Sequence, residues 1–220
     1  MFAHRSLSRG VSAAMVFCAA VFCLFTLLSA PALAAITVGG DAGEVSPANP
    51  SGWTSSTDGT IGQTDGKTGT LTVDGGSYLQ SHFGYLAFNY SSSGTAVVTG
   101  TGSAWENSSF LYVGRNGIGT LMIEDSGRVS DTAGFLGGAY GSSGTAVVTG
   151  PDSFWNNSNY LNVGVYGIGT LRVENGGEVN SGYNGYLGFY SGAGGTALVT
   201  GEGSTWYSSR LCVGHAGTGR

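Results

Sequence analysis

The sequence predicts an all-β chain built as a single-stranded parallel β-helix, a β-solenoid with about 25 residues per rung. Three observations predict it. Gly-Thr pairs begin at Gly69, Gly94, Gly119, Gly144, Gly169 and Gly195, at spacings of 25, 25, 25, 25 and 26 residues, and fixed self-similarity of this kind signals stacked or radial repeats. Between the pairs, apolar residues alternate with small or polar ones: Leu121 and Ile123 flank Met122, and Leu111 and Val113 flank Tyr112. Period two is the pattern of strand. Glycine supplies 41 of the 220 residues, far above the ordinary share of about 7%, and that richness disfavours helix.

Two kinds of unit alternate. One reads GTLMIEDSGRVSDTAGFLGGAYGSS over 119–143, with relatives at Gly69 and Gly169; the other reads GTAVVTGTGSAWENSSFLYVGRNGI over 94–118, with relatives at Gly144 and Gly195. The second kind carries Trp105, Trp155 or Trp206, so the full repeat is about 50 residues made of two coils, over 69–118, 119–168 and 169–219. Each unit offers three apolar anchors. They are Leu121/Ile123, Val129 and Leu136 in one kind and Ala96/Val98, Trp105 and Leu111/Val113 in the other. Three short strands per rung follow, separated by Gly, Ser and Asn turns. A lone rung can neither bury its apolar face nor pair its backbone; a second rung about 4.8 Å away does both. A β-propeller, with blades of about 40–50 residues, fits less well, because Gly-Thr recurs in every half of the longer period. Tryptophan stands where the other coil has Leu79, Val129 or Val179, which predicts burial. Asn107 and Asn157 are expected at one corner, two rungs apart, where their side chains hydrogen-bond along the stack.

The chain starts differently. Residues 1–34 combine a basic start (His4, Arg5, Arg9), an apolar run over 11–28 and the small-residue site Ala32-Leu33-Ala34. That is the layout of a secretory signal peptide with cleavage near Ala34. A membrane anchor is the weaker alternative, since Pro31 and the A-x-A site follow the apolar run directly. No later stretch approaches spanning length, so no transmembrane segment is expected after cleavage. Residues 35–68 read as an N-terminal cap and a degenerate first coil: Trp53 precedes Ile61-Gly62 as Trp105 precedes Val113-Gly114, and Pro47 and Pro50 suit a cap. Repeats then fill 69–220 and stop in register at Gly219, which predicts a truncated or fragmentary C-terminus.

The stretches GTLMIEDSGRVS and FLGGAYGSSGTAVVTGPDSFWNNSNYLNVGVYGIGTL resemble the repeat shared by type V autotransporter passengers and PEP-CTERM-type exported bacterial proteins. The matching parts are GT-[LA]-x-[VI], TG-x-x-S-x-W-x-N-S and L-x-VG-x-x-G-x-GTL, and the resemblance covers about Gly69 to Gly219, more weakly Trp53 to Thr68. It implies an exported right-handed β-helix on a bacterial surface or in its matrix, without enzymatic activity. Such proteins continue into a C-terminal β-barrel or a short sorting tail; this sequence departs from that pattern.

Chemistry finds little purchase in the sequence. Beyond the leader only His82 and His215 remain, in distant repeats and in no metal-ligand spacing. Asp74, Glu124 and Glu174 share one repeat offset and therefore one column. Two rungs apart they stand about 10 Å from one another, too wide for a retaining carboxylate pair and at the edge for an inverting one. A solvated acidic column is the expectation. Gly117-Ile118-Gly119 precedes strand rather than a helix that could hold phosphate. Asp74-Gly75-Gly76 lacks the nine-residue period of a calcium-binding solenoid. Catalytic, metal and cofactor residues are all expected to be absent. Of the three cysteines only Cys212 lies beyond the leader, so no internal disulfide is expected; alternation turns it outward at the position of Tyr112 and Asn162. Removing Arg5 and Arg9 takes the net charge from −5 to −7, which argues against nucleic acid as a partner.

The expected role is an exported structural or adhesive repeat region, secreted or at the cell surface, facing an unidentified ligand such as a polysaccharide or another cell. A carbohydrate-binding or carbohydrate-active β-helix is the alternative. End-to-end self-association is also expected, because a last rung shows unpaired backbone groups.

Overall fold

A computed structural model describes residues 33–220. The signal-peptide expectation for 1–34 therefore falls, apart from Leu33 and Ala34, outside the described residues. The described chain is a β-solenoid of about six parallel turns with about 25 residues per rung. One wall is an eight-stranded sheet. Its repeating strands are Thr68–Asp74, Ser93–Thr99, Ile118–Glu124, Ser143–Thr149, Ile168–Glu174 and Gly194–Thr200, all parallel. The six Gly-Thr pairs lie opposite one another, from Gly69 against Gly94 through to Gly169 against Gly195. A Cβ on Gly119, Gly144 or Gly169 would overlap the backbone nitrogen of Gly114, Gly137 or Gly164. The marker glycine thus sits where the chain leaving one wall crosses against the start of the next, and no side chain fits there.

The second sheet is twelve-stranded and bent. The expected second and third strands of each rung are separate in the early coil, Tyr78–Ser81 and Gly84–Leu86, but fuse into Arg128–Leu136 and Phe154–Val163 in two later ones. A register shift between Asp131 and Ala133 marks the bend. A bulge lets the ladder turn while pairing continues, so two of the three predicted strands belong to one sheet. The 26-residue interval is absorbed at the same place. Asp131 and Gly134 stand three residues apart, whereas Ser181 and Gly185, which align with them through Asn157 and Leu161, stand four apart. At the N-terminal end Ala35–Gly40 and Val45–Ser46 run antiparallel on the first strands, and the buried Glu44 carboxylate accepts the backbone N–H of Gln63 and Thr64 at 2.7 Å each.

The core consists of columns. Leu71, Ala96, Leu121, Ala146, Leu171 and Ala197 form one; Leu79, Trp105, Val129, Trp155, Val179 and Trp206 form another. Each coil with alanine in the first column has tryptophan in the second, and each coil with leucine in the first has Leu79, Val129 or Val179. Close packing requires a nearly constant filled volume per rung, and the 50-residue period is the alternation that keeps it constant. Trp105 and Trp155 are fully buried, as the sequence predicts. In the last coil the inward positions open to solvent, with Val199 43%, Leu211 50% and Val213 55% exposed.

A polar column runs inside, beside the tryptophans: Ser81, Asn107, Asp131, Asn157 and Ser181, all buried. In the repeats each tryptophan indole N–H donates one rung back: Trp105 to Ser81 Oγ at 3.0 Å, Trp155 to Asp131 Oδ2 at 2.7 Å and Trp206 to Ser181 Oγ at 3.0 Å. The Ser81 hydroxyl in turn donates to Asn107 Oδ1 at 2.7 Å. The asparagines do bond along the stack, as expected, through Asn107 Nδ2 to Ser130 O at 3.4 Å and Asn157 Nδ2 to Asn180 O at 3.2 Å. Asp131 takes a serine's place. Burial pushes its carboxyl up to about 8, against the lowering effect of the Trp155 indole, so the group is mainly the neutral acid at pH 7. Its Oδ1 and Asn157 Oδ1 have no hydrogen-bond partner among the described residues.

Two outcomes follow from this core. Ala96→Leu overpacks its rung and lowers unfolding free energy by about 1–3 kcal/mol. Adding Trp105→Val, which gives the coil the composition of its neighbours, restores part of the loss; strict additivity in denaturant titrations would refute volume compensation. For Asp131, a folded pKa raised above the unfolded value means that the folded state holds a proton the unfolded chain has released. The contribution of Asp131 to stability is therefore greatest below pH ~4 and falls by up to about 1.4 kcal/mol per pH unit until pH ~8. Asp131→Ser, matching Ser81 and Ser181, flattens that dependence in thermal melts taken between pH 5 and 8.

Candidate functional site

The acidic column lies on the outer edge of the first wall. Glu124 faces Thr99 on one side and Thr149 on the other, and Glu174 faces Thr149 and Thr200. The structure therefore keeps the carboxylates on alternate rungs with threonine between them. Glu174 is held by Arg172, whose Nε donates to Oε1 at 2.6 Å. The column is half-buried rather than freely solvated, because the flanking threonines and Arg172 cover it. The histidines are not brought together. His82 Nδ1 lies 3.1 Å from Asp58 Oδ1, whereas His215 stacks on Phe189 with centroids 4.8 Å apart. Among the described residues no group of three or more His, Cys, Asp or Glu side chains could hold a metal ion, and no helix is long and apolar enough to cross a membrane.

The chemically distinctive surface is the outer side of the bent sheet. Alternation turns Tyr85, Tyr112, Phe135, Asn162, Tyr186 and Cys212 outward in one column. The first three rings stack: Tyr85 on Tyr112 at 5.5 Å and Tyr112 on Phe135 at 4.6 Å with planes 10° apart. Such offset pairs each add about 0.5–1.5 kcal/mol beyond area burial. Burial raises the pKa values of Tyr85, Tyr112 and Tyr160, so these phenols stay protonated donors at neutral pH. Arg115 covers the N-terminal part of the face, with its guanidinium 4.8 Å from the Tyr85 centroid and 4.2 Å from that of Phe88. A second aromatic row, Tyr140, Tyr166 and Tyr190, follows at the next corner, and Tyr166 and Tyr190 stack at 4.2 Å.

The ring column breaks once between Phe135 and Tyr186, where Asn162 stands in place of a ring. One turn earlier Gly138 takes the position that Arg115 fills above it. The two small residues open a groove of about 550 Å³ between Phe135 and Tyr160 on one side and Tyr166, Tyr186, Phe189 and Tyr190 on the other. Asn162 lies among its lining residues only 5% exposed, and its Oδ1 has no hydrogen-bond partner among the described residues. Sequence reasoning placed Asn162 outward, and it is outward, but the flanking rings bury it. The available signal was one amide in a column of aromatic residues.

Cys212 continues this column next to Tyr186 and is partly exposed. A maleimide reagent labels it in the folded protein; protection comparable to that of a core residue would contradict the register of the last coil.

No family model matches the chain, and comparisons with curated proteins and with solved structures give no match.

Proposed function

We propose that this chain is an exported structural or adhesive repeat region, displayed on a bacterial surface or in extracellular matrix in the manner of the autotransporter-like and PEP-CTERM-associated proteins its repeats resemble. The observation that supports this reading is the unbroken register of all six Gly-Thr corners. A continuous stack is a stiff carrier whose outer side chains vary without disturbing the ladder. In this reading the chain performs no covalent chemistry, and residues 1–34 direct it out of the cytoplasm.

The test is expression of the full chain in a Gram-negative host, with cell fractionation and mass determination of the product. The expected product lies outside the cytoplasm and begins at Ala35. Beads coated with it adhere to exopolysaccharide-producing cells. A full-length chain retained in the cytoplasm, or coated beads that adhere no better than albumin-coated ones, would overturn the reading.

A further inference from the structure

We infer that the groove around Asn162 is a binding site for a neutral saccharide, the aromatic rings taking the sugar's C–H faces and the amide and phenol groups its hydroxyls. This deepens the adhesive reading and rests on it, naming the class of ligand through which the surface would adhere.

Four observations carry the inference. First, the groove interrupts a run of rings in a repeating surface. The outer column is closed by stacked rings at Tyr85, Tyr112 and Phe135 and opens where Asn162 stands between Phe135 and Tyr186. A structural wall has no need of that gap, because the column already tolerates a tyrosine or phenylalanine at four of its rungs.

Second, its size and lining fit a small molecule. About 550 Å³ falls within the range of about 300–1,000 Å³ typical of ligand pockets. Phe135 and Tyr160 meet edge to face at 5.6 Å, and Tyr186 and Phe189 at 4.7 Å with planes at 90°. The rings therefore present faces in two orientations across one notch, not one flat platform.

Third, a buried amide is left unsatisfied. A buried acceptor without a partner is unfavourable, and Asn162 Oδ1 is such an acceptor beside an open groove. A half-turn of the amide exchanges its donor and acceptor edges, so it can meet either the proton or the lone pair of a ligand hydroxyl. Asn184 and the phenols of Tyr160, Tyr166 and Tyr190 place further donors and acceptors around the rim.

Fourth, the lining carries no charged side chain among the described residues. A phosphate, a uronate or a cationic ligand would find no counter-charge, and the acidic chain as a whole repels polyanions. A purely apolar ligand would leave the amide unpaired. A neutral pyranose, apolar on its faces and hydroxylated at its edges, meets both requirements.

The experiment uses the secreted full-chain product and isothermal titration with cellohexaose, laminarihexaose, maltohexaose and mannohexaose, each alone. Tri-galacturonate and the apolar dye anilinonaphthalene sulfonate serve as contrasting probes. At least one neutral hexaose binds, and Asn162→Tyr, which completes the ring column, weakens it at least tenfold without lowering the melting temperature. Phe135→Ala weakens it as well, whereas Tyr78→Ala, on another part of the sheet, does not. Absence of binding by all four hexaoses overturns the inference, as does undiminished binding in Asn162→Tyr or binding of the dye alone. The two readings separate on coated beads. If beads carrying the Asn162→Tyr chain adhere like wild type, the adhesive reading stands and the groove is not its site; if wild-type beads fail to adhere while hexaose binds, the groove stands and the adhesive reading falls.

Discussion

Register between rungs is the constraint on which everything else depends. Along the strands, the backbone groups of a coil find their partners on the coils above and below, so a slip of one residue would turn each apolar column outward. The chain fixes register at the corner where the Gly-Thr glycine meets the backbone of the preceding turn and leaves no room for a Cβ. Serines at a second corner reinforce it. Ser103, Ser153 and Ser204 each accept a backbone N–H from the rung before, from Gly76, Ser126 and Gly176, at 3.0–3.1 Å. Length varies only outside the paired strand segments: at the bend of the second sheet Asp131–Gly134 spans three residues and Ser181–Gly185 four, and the pairs on either side are kept.

Given that register, the 50-residue period follows from packing and hydrogen bonding together. A tryptophan fits a rung only where the opposite column shrinks to alanine, and its indole N–H, buried away from water, must find an acceptor. The preceding coil supplies that acceptor from Ser81, Asp131 or Ser181. The two kinds of coil are thus interlocked: one brings the large donor and the other the acceptor. Asp131 shows how much the polar column tolerates. A carboxyl stands there in a serine's place, and burial pushes its pKa up to about 8.

Much of this was legible in the sequence because repetition makes each residue a member of a column. The Gly-Thr interval, the alternation around Leu121 and Leu111, the burial of Trp105 and Trp155 and the shared column of Glu124 and Glu174 were all readable from spacing. What was not readable depends on neighbours across rungs. The fusion of two strands into Phe154–Val163 depends on a bulge that no residue type announces. Asp131 reads as a surface acid until the stack places it beneath Trp155. Asn162 reads as an ordinary outward residue, because only the rings of the coils on either side turn an exposed position into a buried one. The outer aromatic face is itself divided among residues more than twenty positions apart, and no single stretch of sequence displays it.

The most direct test of the account is a measurement of register at defined positions. Thr120 and Thr145 face outward on adjacent rungs and lie opposite each other, about 4.8 Å apart by strand spacing. With Cys18, Cys23 and Cys212 replaced by serine, pyrene attached to cysteines at 120 and 145 should show strong excimer emission. Pyrene at 120 and 132, closer in sequence but on different walls, should show little. Excimer emission from the second pair and not from the first would contradict the 25-residue stack.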